Sequence, residues 1–133
     1  VGFGSLGKHG ASGYNVPFVS VKGKRQTHAL SLHPPIKGSS FVVYNLRGQY
    51  DLFQATAAIM DGPHAPASPL TFLVHADGKT VWQSRPLKKN GDVQECKMKI
   101  RGVRLLKLEI YCPGSNGSAI GVWVAPRVER AGR

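Results

Sequence analysis

The stretch Leu70 to Ser84, LTFLVHADGKTVWQS, constrains the fold more than any other part of the chain, because strand periodicity and turn chemistry coincide in it. Leu70, Phe72, Val74 and Ala76 share one face of a strand, and Thr71, Leu73 and His75 share the other, so at least one face must be buried. Asp77-Gly78 comes next. Both residues tolerate the positive φ angles of a tight type I′ turn, and Lys79 to Gln83 then returns antiparallel, with Val81 directed inward between Thr80 and Trp82.

Reading outward from this hairpin, the other segments have the same character. Val1 to Asn15 is rich in Gly and Ser without periodicity and reads as an irregular loop or arm. Pro17 to Lys22 is a short strand followed by a polar loop through Gly23. His28 to His33 alternates, and Pro34-Pro35 ends it because proline lacks the amide proton a ladder needs. Phe41 to Leu46 and Tyr50 to Met60 are strands, the second with Phe53, Ala55, Ala57 and Ile59 on its core face. Asp61 to Pro69 is a proline-rich loop and Arg85 to Asp92 a basic one. Val93 to Ile100 turns Glu95, Lys97 and Lys99 to water, and Leu105 to Cys112 does the same with Lys107 and Glu109. After the turn-rich Pro113 to Ser118, a last strand covers Ala119 to Val128, with Pro126 expected at an edge or bulge.

About nine strands separated by frequent turn signals predict an all-β fold, an antiparallel β-sandwich with jelly-roll topology favoured. The sixteen Gly and nine Pro, spread over 133 residues, agree with many short strands in one domain covering 1–133. An RNA-binding barrel is the competing fold. It would cluster aromatics on one exposed face, whereas this chain spends them singly.

Eighteen Lys and Arg against seven Asp and Glu give a net charge of +11, which concentrates anionic partners such as nucleic acid, sulfated glycans or lipid headgroups. Charge alone does not choose among them, and a solvated basic surface is the plain alternative. No apolar run approaches the ~20 residues of a membrane span. Cys96 and Cys112 share parity with core positions and read as buried free thiols, and no Cys/His cluster suggests zinc. The carboxylates have no spacing that suggests an acid–base couple, and no nucleophile elbow, P-loop or zinc-protease motif is present. A catalytic site is not expected.

Several short motifs, in order, resemble the NPCBM family of carbohydrate-binding modules. They are Gly2-Phe3-Gly4, Ala29-Leu30-Ser31-Leu32-His33, Gly48-Gln49-Tyr50-Asp51-Leu52-Phe53, Phe72 to Lys79 followed by Ser84, Gly102 to Leu108, and Trp123-Val124-Ala125-Pro126. The resemblance implies a galactose-binding-domain-like jelly roll, a non-catalytic module of a larger protein, monomeric in itself, recognising galactose-type glycans. It implies His33, Trp123 and Phe3 as ligand-binding residues, since a sugar presents an apolar ring face to an aromatic platform and a rim of hydroxyls to imidazole or carboxylate groups. It also leaves room for calcium near Asp61, and it favours an extracellular setting, to which the sequon Asn116-Gly117-Ser118 adds.

The departures fall at Val122, where the family has an acidic residue, at Ile120-Gly121, at Pro34, and at Phe3 in place of Trp. They keep open a second expectation, a repurposed interaction module for a protein or anionic partner. By their own surroundings, Trp123 also reads as core and His33 as an ordinary half-buried histidine.

Overall fold

The computed structural model describes residues 19–26 and 28–130. Phe3 and the arm expected over 1–15 lie outside the described residues. The strands are β1 (Val19–Val21), β2 (Lys24–Gln26), β3 (Ala29–Leu32), β4 (Gly38–Asn45), β5 (Leu52–Ile59), β6 (Thr71–Ala76), β7 (Lys79–Gln83), β8 (Val93–Lys99), β9 (Leu105–Cys112) and β10 (Gly121–Glu129).

Eight of them form two four-stranded sheets of order β3-β10-β5-β8 and β4-β9-β6-β7, and β1 pairs with β2 in a separate hairpin. From β3 onward every connection crosses between the sheets except the β6–β7 hairpin. This is the jelly-roll order, with all described pairings antiparallel.

Alternation places the core between the sheets. Leu30, Leu32, Phe53, Ala55, Ala57, Ile59, Cys96 and Trp123 from one sheet meet Val42, Phe72, Val74, Leu106, Leu108, Ile110 and Cys112 from the other. The core faces expected for β5, β6, β8 and β9 are the ones observed. The sheets approach closely at Gly121, where a Cβ would lie 2.7 Å from Ile110 Cδ1 and 2.8 Å from Phe72 Cζ. Both cysteines are buried free thiols.

A second, smaller core lies on the outer face of the β3-β10-β5-β8 sheet. Val21 of the β1–β2 hairpin packs there with Ala29, Ala58, Met60 and Val122. The hairpin therefore covers one end of this sheet from outside, which is why all four residues of β3 are buried. The sequence reading has only a polar loop after Lys22, because Lys24-Arg25-Gln26 shows no apolar alternation. Its strand character comes from pairing with β1.

Two bulges complete the architecture. In β10, Val124 pairs with Thr56 and Arg127 with Gln54, so Ala125 and Pro126 oppose one residue of β5, and Ala125 takes a φ of 49°. Pro126 thus sits at a bulge, as its missing amide proton requires. In the central hairpin, Val74 pairs with Trp82 but His75 with Thr80. The extra residue, Val81, shifts parity, so both Val81 and Trp82 pack against the main core instead of Val81 alone.

Candidate functional site

At one end of the sandwich lie the loops β3–β4, β5–β6, β7–β8 and β9–β10. His33 stands where β3 leaves the sheet. Its Nε2 donates to the Asn116 carbonyl at 3.0 Å, and Asn116 Nδ2 donates to the Pro34 carbonyl at 3.1 Å. The Lys37 amide donates to the Gly114 carbonyl, the Ser68 hydroxyl to the Ser115 carbonyl, and the Ala67 amide to the Gly117 carbonyl. Ser40 Oγ donates to the His33 carbonyl. Three loops are thereby tied to one another before any ligand arrives, which lowers the ordering cost of binding.

Asn116 escapes the sequence argument, where it figures only as part of a sequon. In the structure it is half-buried with its side-chain amide engaged. The turn-rich PGSNGS segment is the only local signal for its role, and nothing local shows that it meets His33, 83 positions away.

Trp123 is placed differently from the platform expected of it. It has 0% exposure, on the inner face of β10 between Phe53, Phe72 and Trp82, whose ring centroids lie 6.4, 5.2 and 6.1 Å away. It has no face open to a sugar. This burial makes Trp123 a core residue; parity alone does not choose its face, since the neighbouring Val122 is equally buried on the other side of the sheet, and the packing of the second sheet against β10 decides it. Its Nε1 is the buried side-chain polar atom among the described residues that has no hydrogen-bond partner.

Two of the departures from the family pattern, at Val122 and Gly121, find their explanation in packing. Val122 is fully buried beneath the β1–β2 hairpin, where a carboxylate would lose its hydration without a counter-charge. Gly121 has no room for a side chain.

Asp61 uses both carboxylate oxygens to hold the hairpin turn. Oδ1 accepts from the Lys22 amide at 2.9 Å, and Oδ2 accepts from the Gly23 amide at 2.7 Å and the Ser20 hydroxyl at 2.8 Å. Partial burial works to raise its pKa, but the Gly23 amide, the Ser20 hydroxyl and the Lys22 amide together hold it below the ordinary carboxylate range. Calcium needs six or more oxygen ligands, whereas the described groups that hydrogen-bond this carboxylate are donors. Among the described residues, those at Asp61 do not fit a calcium ion, and no group of three metal-ligating side chains occurs.

A polar network crosses the outer face of the second sheet. Ser39 of β4 donates to Glu109 Oε2 of β9 at 2.5 Å, Glu109 Oε1 meets His75 Nε2 of β6 at 2.6 Å, and His75 Nδ1 meets Thr80 Oγ1 of β7 at 3.0 Å. One residue from each strand takes part. Burial alone would raise the Glu109 pKa, but the hydrogen bonds from Ser39 and His75, with the nearby charges of His75 and Lys107, carry it below its usual range. The network's position across all four strands marks it as a staple of the sheet.

At the opposite end, β3 pairs with β10 only between Ala29 and Leu32. Beyond it a groove of about 150 Å³ opens between the sheets, lined by Tyr44, Leu46, Phe53, Leu106, Pro126 and Val128. Burial raises the pKa of the Tyr44 phenol that borders it.

Two four-stranded antiparallel sheets in jelly-roll order, with loops tied together at one end, define the class: a jelly-roll β-sandwich. The NPCBM/NEW2 domain model matches residues 15–129, and the chain belongs to that family. No curated protein sequence matches it.

Among solved structures, CBM51 from Clostridium perfringens GH95, in complex with methyl-galactose, is similar with a TM-score of 0.74 at 22% identity, over 96% of this chain and 90% of that one. CBM51-2 with the INT domains of Clostridium perfringens ZmpB, in complex with GlcNAc, gives 0.74 at 19% identity over 98% and 28%. The tandem CBM51 modules of Sp3GH98 from Streptococcus pneumoniae give 0.69 at 16% identity over 84% and 35%. At these identities the likeness is one of fold. In the ZmpB structure that includes the M60 catalytic domain, the matching region is 14% of the chain.

Proposed function

We propose that this chain is a non-catalytic carbohydrate-binding module that recognises galactose-type glycans and acts as one part of a larger protein. Membership of the NPCBM/NEW2 family over residues 15–129 is the observation that carries this reading. Similar modules hold methyl-galactose and GlcNAc, and others stand beside catalytic domains. The ligand end is the loop cluster around His33, where hydrogen bonds between the β3–β4 and β9–β10 loops hold imidazole, amide and carbonyl groups in a fixed arrangement. Such groups suit sugar hydroxyls, which both donate and accept. Trp123 takes no direct part. Its contribution is to support β10 from the core.

The non-catalytic reading draws on the employment of the carboxylates. Asp61 accepts from backbone amides of the β1–β2 turn, Asp92 from the Lys88 and Lys89 amides of its own loop, Asp77 from the Arg104 and Leu105 amides, and Glu109 belongs to the sheet network. Each has a structural task in place of an acid–base partner.

Isothermal titration with galactose, N-acetylgalactosamine and GlcNAc at low and high salt tests the proposal, repeated on His33→Ala and Asn116→Ala after each is shown to fold. Saturable binding to a neutral sugar, indifferent to salt and lost in both variants, is expected. Binding that both variants retain would move the site away from this end, and no binding to any neutral glycan would overturn the galactose reading.

A further inference from the structure

The same end of the molecule presents ammonium groups in an arrangement that neutral sugars would not use. The turn of the β1–β2 hairpin, Lys22-Gly23, lies against the β7–β8 loop, where a Cβ added at Gly91 would sit 3.3 Å from Lys22 Cγ. Lys88 and Lys89 belong to that loop, and Lys22, Lys24, Lys88 and Lys89 are all exposed.

Both segments are anchored. Asp61 binds the hairpin turn through the amides of Lys22 and Gly23. Asp92 Oδ2 accepts from the Lys88 amide at 2.8 Å and the Lys89 amide at 3.3 Å. Asn90 Nδ2 donates to the Gly62 carbonyl at 2.7 Å and the His64 carbonyl at 3.2 Å, which ties the loop to the segment that follows β5. The ammonium groups are therefore presented from fixed backbone.

The two carboxylates of this region are directed at backbone amides. Asp92 also attracts Arg85 and Lys89 through space, but the described ion pairs, His75–Glu109 and Arg127–Glu129, lie elsewhere and leave Lys22, Lys24, Lys88 and Lys89 outside them. A set of exposed lysines on anchored, neighbouring segments and outside the ion pairs among the described residues attracts a ligand with several negative charges in a row. We infer that the β1–β2 turn and the β7–β8 loop form a second binding surface, which takes the sulfate or carboxylate groups of an acidic polysaccharide.

This inference rests on the glycan-binding reading for its choice of a polysaccharide, but it uses residues apart from His33 and Asn116. Nucleic acid is the less suitable polyanion. Base stacking on aromatic side chains is a main source of single-strand affinity, and no aromatic residue lies within 20–26 or 84–92.

The test measures heparin-derived sulfated oligosaccharide binding by titration at about physiological salt, where exposed charges still interact over a Debye length of roughly 8 Å. The variant Lys22→Glu/Lys88→Glu/Lys89→Glu is compared with Lys97→Glu/Lys99→Glu/Arg101→Glu, which changes net charge equally on exposed residues of β8 and the turn after it. Folding of both is checked by their thermal transitions. The first variant should lose roughly tenfold or more in affinity, as expected for several exposed charge pairs, while the second loses much less.

Galactose titration of the first variant should be unchanged from the parent chain, so failure at this surface and failure at the neutral-sugar site are distinguishable. Equal losses in both variants would mean attraction by net charge alone and would overturn the inference. So would absence of binding, or displacement of the oligosaccharide by an equal charge concentration of DNA.

Discussion

An indole at the centre of a sandwich gives up its hydrogen bond to water, and Trp123 does so without a replacement at Nε1. Its edge contacts with Phe53 and Phe72 and its tilted contact with Trp82 offset that loss. Trp123→Ala should therefore cost about 3–5 kcal/mol in urea unfolding, the range for large aromatic truncations. Trp123→Phe should cost far less, under about 1.5 kcal/mol, because it removes the unpaired donor while retaining a ring. A different residue-scale effect belongs to Glu109. Its pKa is lowered from 4.5 in the folded chain, so its stabilising contribution is complete above that value and is lost as pH falls through the lowered one. Unfolding free energy measured as pH drops below about 4.5 should decline more steeply in the parent chain than in Glu109→Gln, which has no proton to take up.

The β1–β2 hairpin is an element that exists by attachment. Three residues per strand bury little area, and the hairpin holds its place through Val21 against the second core and through the Asp61 carboxylate. Hydrogen bonds to a charged acceptor are each worth about 1.5–3 kcal/mol. In Asp61→Ala, amide hydrogens of residues 19–26 should exchange roughly tenfold or more faster while those of β5 and β9 stay protected, as expected for local opening. Equal acceleration throughout would show that the hairpin is integral to the main cooperative unit. The strands of the main core tell the opposite story. β5, β6 and β9 are visible in the sequence because Phe53, Phe72 and Leu108, with their alternating neighbours, face one side only. β3 is less so, since both its faces are covered and Ser31 is as buried as Leu32.

For the whole molecule, burial of both thiols gives a global reporter. Cys96 has its pKa pushed up to about 12 by burial, and Cys112 is fully enclosed at the end of β9. The nucleophile in thiol labelling is the thiolate. Neither cysteine should react with a disulfide reagent under native conditions, and both should become reactive together across the urea transition. Early labelling of one alone would reveal a sub-global opening at β8 or at the end of β9. The positive charge acts on the same scale. It is distributed over strand faces, turns and loops, and the anchored lysines near Gly91 are one locality within it.

The order of most strands, their inward residues, the central hairpin, an edge or bulge at Pro126 and the free thiols were legible from residue order alone. Each depends on neighbours close in the chain, through period-two alternation or the backbone demands of proline and the Asp-Gly turn. Even the family resemblance belongs here, because the matching motifs lie mainly in strands and turns that obey those local rules. What tertiary structure decided is where one surface meets another. It put Trp123 between the sheets, buried Val122 beneath a hairpin, joined His33 to Asn116, and turned Asp61 and Asp92 onto backbone amides. Those outcomes depend on contacts between segments distant in sequence: where both faces of a strand are apolar, as around Val122 and Trp123, alternation does not encode which one the other sheet will cover, and no local pattern encodes which loops meet at an end of the sandwich.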